Sequence, residues 1–305
     1  MLLLSVDSTC DETAVAVTEN GRRVLTDQIF SQADLHAVYG GVVPEIASRS
    51  HVEVISRLAD RAIAAAGIKK SELDAVAVSY APGLIGAVLV GVNFAKSAAA
   101  ALGIPLVPVH HIRGHIAANY IAYPELEPPF LCLAISGGNT MLVDVRGYTD
   151  LRVLGRTRDD AYTLPHPFVG ENPYDMSFSG LKTAVINLAH HCEQTGETLD
   201  RAGLAASLCR AVSESLVPRT MAAAAELGYK KIAVAGGVAA NSRIRADFAA
   251  AAEKAGAQLF VPPLRLCGDN AAMIGCQGYY EFLAGHTAGP ELNAYATMPL
   301  EKQIG

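Results

Sequence analysis

One unit occurs twice in this chain. An apolar run, Leu2–Val6, enters a small polar loop, Asp7–Thr13, and returns through the apolar Ala14–Val17; later Phe130–Ile135, Ser136–Thr140 and Met141–Val145 repeat that order. Each unit predicts a buried strand, a turn and an antiparallel return strand. Between and after them, Pro44–Ala66, Val88–Leu102, Leu181–His191, Leu204–Leu227 and Asp269–Leu283 read as helices, and Leu73–Ser79, Ile104–Val109, Lys230–Ala235 and Leu259–Val261 as strands. Asn20-Gly21 reads as a hairpin turn into a third strand, Arg23–Ile29. The recurrence predicts two α/β lobes facing each other across a cleft. With 305 residues and 51% apolar content, the chain can bury a core for each.

Charge and cysteine usage narrow the class. The net charge of −6 gives no overall attraction for polyanions, so a nucleic-acid partner needs a local basic patch or another subunit. Leu84–Val92 is too short to span a bilayer, contains glycines and is soon followed by Lys96; the first residues, with Asp7, Asp11 and Glu12, are unlike a signal peptide. Six scattered cysteines without a CxxC pair suit a reducing, cytoplasmic setting.

Chemistry concentrates at three places. His111 and His115 stand four residues apart just after a strand, so a helix there puts both imidazoles on one face, spaced for one metal ion; unliganded surface or core histidines are the alternative. Asp269 is the carboxylate best placed to complete the set, or else it or Asn270 caps the helix that follows. Two histidines and one carboxylate leave open positions for substrate. A zinc peptidase needs Glu after the first histidine, where this chain has Ile112. The run Ser136, Gly137, Gly138, Asn139 and Thr140 offers backbone N–H groups to an anion, or is an ordinary turn. Gly236-Gly237 leads to Asn241 at a helix start, where Asn241 either caps or holds a ligand hydroxyl.

Together, Asp7–Thr13 (DSTCDET), His36–His51 (HAVYGGVVPEIASRSH), Ala81–Lys96 (APGLIGAVLVGVNFAK), His110–His115 (HHIRGH), Ser136–Thr140 (SGGNT), Tyr174–Thr183 (YDMSFSGLKT), Ala235–Arg245 (AGGVAANSRIR) and Cys267–Ile274 (CGDNAAMI) resemble the TsaD family, in family order over nearly the whole chain. The resemblance implies an actin-like ATPase fold of two RNase H-like lobes, here residues 1–112 and 113–283, with a tail, 284–305, returning to the first. It implies His111, His115 and Asp269 as ligands of one divalent metal, iron or zinc. Ser136 to Thr140 and Asn241 are implied contacts of a threonylcarbamoyl-adenylate, and Asp11 and Glu12 an acidic pair near the reaction centre. The implied reaction moves the threonylcarbamoyl group to N6 of adenosine 37 in tRNAs reading ANN codons. TsaB- and TsaE-like partners and a TsaC-type enzyme supplying the adenylate come with it. Arg49, Arg156, Arg158 and Arg243 are candidates for holding the tRNA.

The chain departs from the family pattern at several points. Asn139 stands where SGGHT is usual, Ala81 where GPGL is usual, and Asp7 where Glu is common. After Ala161 a GEAFDK-type helix and a YPGGP loop, which carry two ligand contacts, are missing. That loss leaves a second expectation, a catalytically weakened paralogue serving as a nucleotide- or metal-binding scaffold. A third, an actin-like small-molecule kinase, is disfavoured because such enzymes hold Mg²⁺ through oxygen.

Overall fold

A computed structural model of the protein describes residues 1–136, 139–156, 172–176, 178–302 and 304. In the first lobe, β1 (Leu2–Asp7), β2 (Glu12–Glu19) and β3 (Arg23–Ser31) form an antiparallel meander. Then α1 (Ala33–Ala37) and α2 (Pro44–Ala66) lead to β4 (Ala75–Ala81), and α3 (Ile85–Leu102) to β5 (Leu106–His110). Helix α4 (His111–Ala122) crosses to the second lobe. There β6 (Phe130–Ser136), β7 (Asn139–Val145) and β8 (Leu151–Arg156) form a second meander. The helices α5 (Ser179–Thr195) and α6 (Arg201–Glu226), strand β9 (Lys231–Ala235), helix α7 (Ser242–Lys254), strand β10 (Gln258–Phe260) and helix α8 (Ala271–Leu283) follow.

The two sheets have one topology. Strand order is β3-β2-β1-β4-β5 in the first and β8-β7-β6-β9-β10 in the second, with β1, β4, β5 and β6, β9, β10 parallel. The repeat in the sequence is therefore a repeat in space, the actin-like arrangement the resemblance implies. Strand β8 has no counterpart in the sequence reading: Leu151-Arg-Val-Leu-Gly-Arg is short and lacks the continuous apolar run of its neighbours.

What positions the site is an exchange of helices. On the outer faces, α2 and α3 cover the first sheet, and α6 and α7 the second. Helix α3 is long and apolar enough to cross a membrane by length and composition, yet Ala87, Val88, Val92 and Ala95 are fully buried within the protein. On the inner faces, α4 lays Ile112, Ile116 and Tyr120 on Phe130, Cys132 and Val143 of the second sheet. Helix α8 lays Met273 and Ile274 on Leu3, Ala77 and Val109 of the first. Each such buried aliphatic side chain contributes about 1.5–3 kcal/mol. The two helices also lie against each other at Gly114, where a Cβ would come 2.7 Å from Ile274 Cδ1. This crossing brings the N-termini of α4 and α8 side by side.

The residues after α8 strap the lobes. Ala288 bridges to Leu106, Tyr295 N–H donates to the Tyr80 carbonyl at 2.9 Å, and Arg113 of α4 donates twice to the Leu300 carbonyl at 3.0 and 2.8 Å. Arg113 also pairs with Glu281 of α8 at 3.2 Å, both buried.

Candidate metal centre and cleft

The β5–α4 junction builds the first half of the site. His110 caps α4, its Nδ1 accepting from Ile112 N–H at 3.2 Å, and this directs the next two turns so that His111 and His115 share a face. Their ring centroids are 4.6 Å apart. The second half comes from α8. Asn270 is the helix cap, accepting from Met273 N–H at 2.9 Å, so Asp269 is left to face the histidines. Asp269 Oδ1 lies 3.4 Å from His111 Nε2 and 3.2 Å from His115 Nε2, and one ligand atom from each of the three residues falls within 4.8 Å of the others.

Electrostatics hold this set. Burial opposes ionisation of Asp269, but His111 and then His115 outweigh it and hold the carboxyl well below its usual range. Burial likewise opposes protonation of His111, and Asp7 and Asp269 outweigh it, pushing His111 well above the usual imidazole value. His115 is 1% exposed and neither ring nitrogen has a hydrogen-bond partner among the described residues, because its 3.2 Å approach to Asp269 is poorly aligned. A buried imidazole without a partner is costly unless a cation completes it. The residue types, their spacing and that orphaned ring fit a divalent ion with nitrogen and oxygen donors.

The acidic pair lies on the first lobe's β1–β2 turn, which is clamped from behind. Buried His51 of α2 brackets it, with Nε2 3.0 Å from the Cys10 carbonyl and Nδ1 2.7 Å from Thr13 Oγ1. Gln32 N–H donates to the Asp11 carbonyl at 3.0 Å, and Ser31 hydroxyl to Glu12 Oε1 at 2.9 Å. Burial, then the neighbouring Asp11, raises the Glu12 carboxyl to about 7. The same two causes push the Cys10 thiol up to about 12, so it stays protonated and is a poor ligand. The sequence reading missed His51 and Asp27 here. Asp27 of β3 accepts from the first amide of α8, Ala271 N–H, at 3.3 Å, and burial raises it to about 6. Nothing in a lone aspartate on a strand signals that contact.

In the second lobe, Ser136 pairs with Asn139 across the β6–β7 hairpin and Thr140 is buried. Gly137 and Gly138 lie outside the described residues, as does Arg158, and the side chains of Asn139 and Arg156 are not described. Gly236, at φ +93°, sits so tightly on the Ile135 carbonyl that no Cβ fits, which brings the second glycine loop onto the first. Asn241 caps α7, accepting from Arg243 and Ile244 N–H at 3.0 and 3.2 Å, while its amide reaches Cys209 Sγ at 3.3 Å. Of the arginines, Arg49 is on α2 and Arg243 on α7, the latter paired with Asp247 at 2.6 Å, so they belong to opposite lobes. The junction after Ala161 lies outside the described residues.

Known proteins resemble this chain over nearly its whole length. Residues 23–276 match the family model described as TsaD: tRNA N6-adenosine threonylcarbamoyltransferase. The chain belongs to the TsaD family. A curated TsaD relative of that name from Moorella thermoacetica is 46% identical, covering 98% of this chain and 97% of its own. One from Staphylococcus saprophyticus is 43% identical, over 99% and 97%. The Moorella alignment runs over 331 positions while this TsaD chain has 305 residues, so at least 26 alignment positions have no residue here. Among solved structures, HypF from T. kodakarensis superposes with a TM-score of 0.60 at 15% identity, over 95% of this chain and 49% of that one. A ROK hexokinase from Thermus thermophilus superposes with 0.51 at 15% identity, over 93% and 100%. At such identities these two report the shared fold alone.

Proposed function

We propose that this chain transfers the threonylcarbamoyl group from threonylcarbamoyl-AMP to N6 of adenosine 37 in tRNAs reading ANN codons, releasing AMP and forming t6A. The observation that carries this reading is the near full-length match to relatives named for that activity, with His111, His115 and Asp269 converging at the paired helix ends. These three residues would hold one divalent ion, iron first and zinc as the alternative. When bound, such an ion supplies Lewis acidity and a template for the adenylate.

The remaining chemistry belongs to the chain. Ser136 to Thr140 and the Gly236 loop supply small residues against which an anionic adenylate can lie on backbone N–H groups. Asn241 has its carbonyl engaged in capping, so a ligand would take the amide hydrogen not directed at Cys209 Sγ. Glu12, its carboxyl raised to about 7, suits uptake of the proton that N6 loses as the new C–N bond forms, with Asp11 sustaining that raised value. Holding an activated carbonyl against a weak amine is then chiefly positioning. Arg49, Arg156, Arg158 and Arg243, with TsaB- and TsaE-like partners, would hold the tRNA, a TsaC-type enzyme would supply the adenylate, and the setting is the cytoplasm.

The test is reconstitution with threonine, bicarbonate, ATP, tRNA and those partners, scoring t6A by mass. Product is expected; its absence with intact partners overturns the reading. The alignment positions without a residue here favour one second reading, a weakened paralogue acting as a scaffold. Activity that emerges only after the family segment is inserted following Ala161 would establish it.

A further inference from the structure

We propose that Asp7, braced by Ser79, is a positioning residue that fixes the tautomer and aim of His111 for metal binding. The inference rests on the ligand set proposed above and concerns a residue outside it. Asp7 ends β1, is 1% exposed and reaches His111 from the side opposite Asp269. Its Oδ2 is 3.1 Å from His111 Nδ1, while His111 Nε2 is the nitrogen near Asp269. Asp7 Oδ1 accepts from the Ser79 hydroxyl on the paired strand β4 at 2.6 Å, which holds the carboxylate in place.

Two facts make this more than proximity. Asp7 Oδ2 is buried, lies 3.1 Å from His111 Nδ1 and has no other donor near it among the described residues. Thr9 Oγ1, 3.2 Å from the same nitrogen, adds a second oxygen on that side. A carboxylate accepts and cannot donate, so Asp7 favours a hydrogen on Nδ1, and it is the Nε2 proton, on the side of Asp269, that His111 gives up when a metal ion binds. Among the described residues His115 has no such orienting partner. The two histidines are therefore unequal: His111 is held ready, and His115 is aligned mainly by helix geometry.

The test uses the full-length, metal-stripped protein and Zn²⁺ alone, with affinity read by competition against a chromophoric chelator and thermal midpoint read on the same samples. Asp7→Asn, nearly isosteric, is expected to weaken Zn²⁺ binding 10- to 100-fold. Ser79→Ala, which removes only the brace, is expected to weaken it severalfold and provides the measurement should Asp7→Asn not fold. A purely structural ion pair predicts a lower thermal midpoint with affinity within threefold of wild type; that outcome in either folded variant overturns the proposal. Wild-type protein that binds no Zn²⁺ overturns the ligand set itself, and this inference with it, so the two failures are told apart by the wild-type titration.

Discussion

The first turn of each lobe occupies the same place in the same topology, and the two are built in opposite ways. In the first lobe, β1 and β2 are joined by four residues that carry Cys10 and Asp11 and run into Glu12, anchored by His51, Gln32 and Ser31. In the second, Ser136 pairs with Asn139, the sequence between them is Gly137-Gly138, and Gly236 packs on Ile135 from the end of β9. One turn is acidic and externally clamped; the other has almost no side chains. A duplicated frame thus carries an acidic turn in one lobe and a turn of small residues in the other, and the function proposed above would give the second to an anionic ligand.

Removing the shared carboxylate tests the acidic side most severely. Asp269→Ala is expected to reduce t6A formation on the order of 10³-fold, more than loss of a residue that merely orients a ligand; single-turnover assays in the reconstituted system measure it, and retention of a tenth of the activity would place the chemistry elsewhere. On the glycine side, Gly236→Ala forces a Cβ onto the Ile135 carbonyl at a left-handed φ. It should cost about 3 kcal/mol in urea unfolding, and an unchanged midpoint would mean the two loops do not converge. Next, His51→Ala loosens the acidic turn without touching the metal residues. We expect kcat to fall about 30-fold while Zn²⁺ affinity stays put; equal losses in both would show that the turn and the metal centre are one unit.

Smaller effects sharpen the contrast through pH and capping. Burial raises Asp27 to about 6, above its ordinary 3.8, so the folded state keeps the extra proton between those values and stability falls as pH rises through that window. Asp27→Asn removes that loss while keeping an acceptor for Ala271. It should stabilise the protein by about 2 kcal/mol at pH 8 and by almost nothing at pH 3.5, a difference that thermal melts at the two pH values will show or refute. Asn241→Ala removes a helix cap and should cost about 1 kcal/mol; a larger loss of adenylate binding than of stability would assign its amide to the ligand.

Much of this was legible from residue patterns because those patterns are local. Buried strands announce themselves as apolar runs, so β1, β4, β5, β6 and β9 were readable, as was the hairpin at Asn20-Gly21. His111 and His115 were readable as a pair because helical spacing alone places them on one face. Strand β8 escaped because its alternation is broken by Gly155 and it stands at a sheet edge. The choice between Asp269 and Asn270 as cap stayed open because both residue types cap helices equally well.

Sequence by itself determined the repeat, the histidine pair, the small-residue turns and the family. Only tertiary structure decided that α4 and α8 exchange sheets, and with that exchange everything about the centre: that Asp269 faces both histidines, that Asp7 stands behind His111, and that His51 holds the acidic turn. The reason is physical. A spacing of four along one helix is set by backbone geometry, whereas the 3.2 Å between His115 and Asp269 depends on how two sheets bury their inner faces against a common pair of helices.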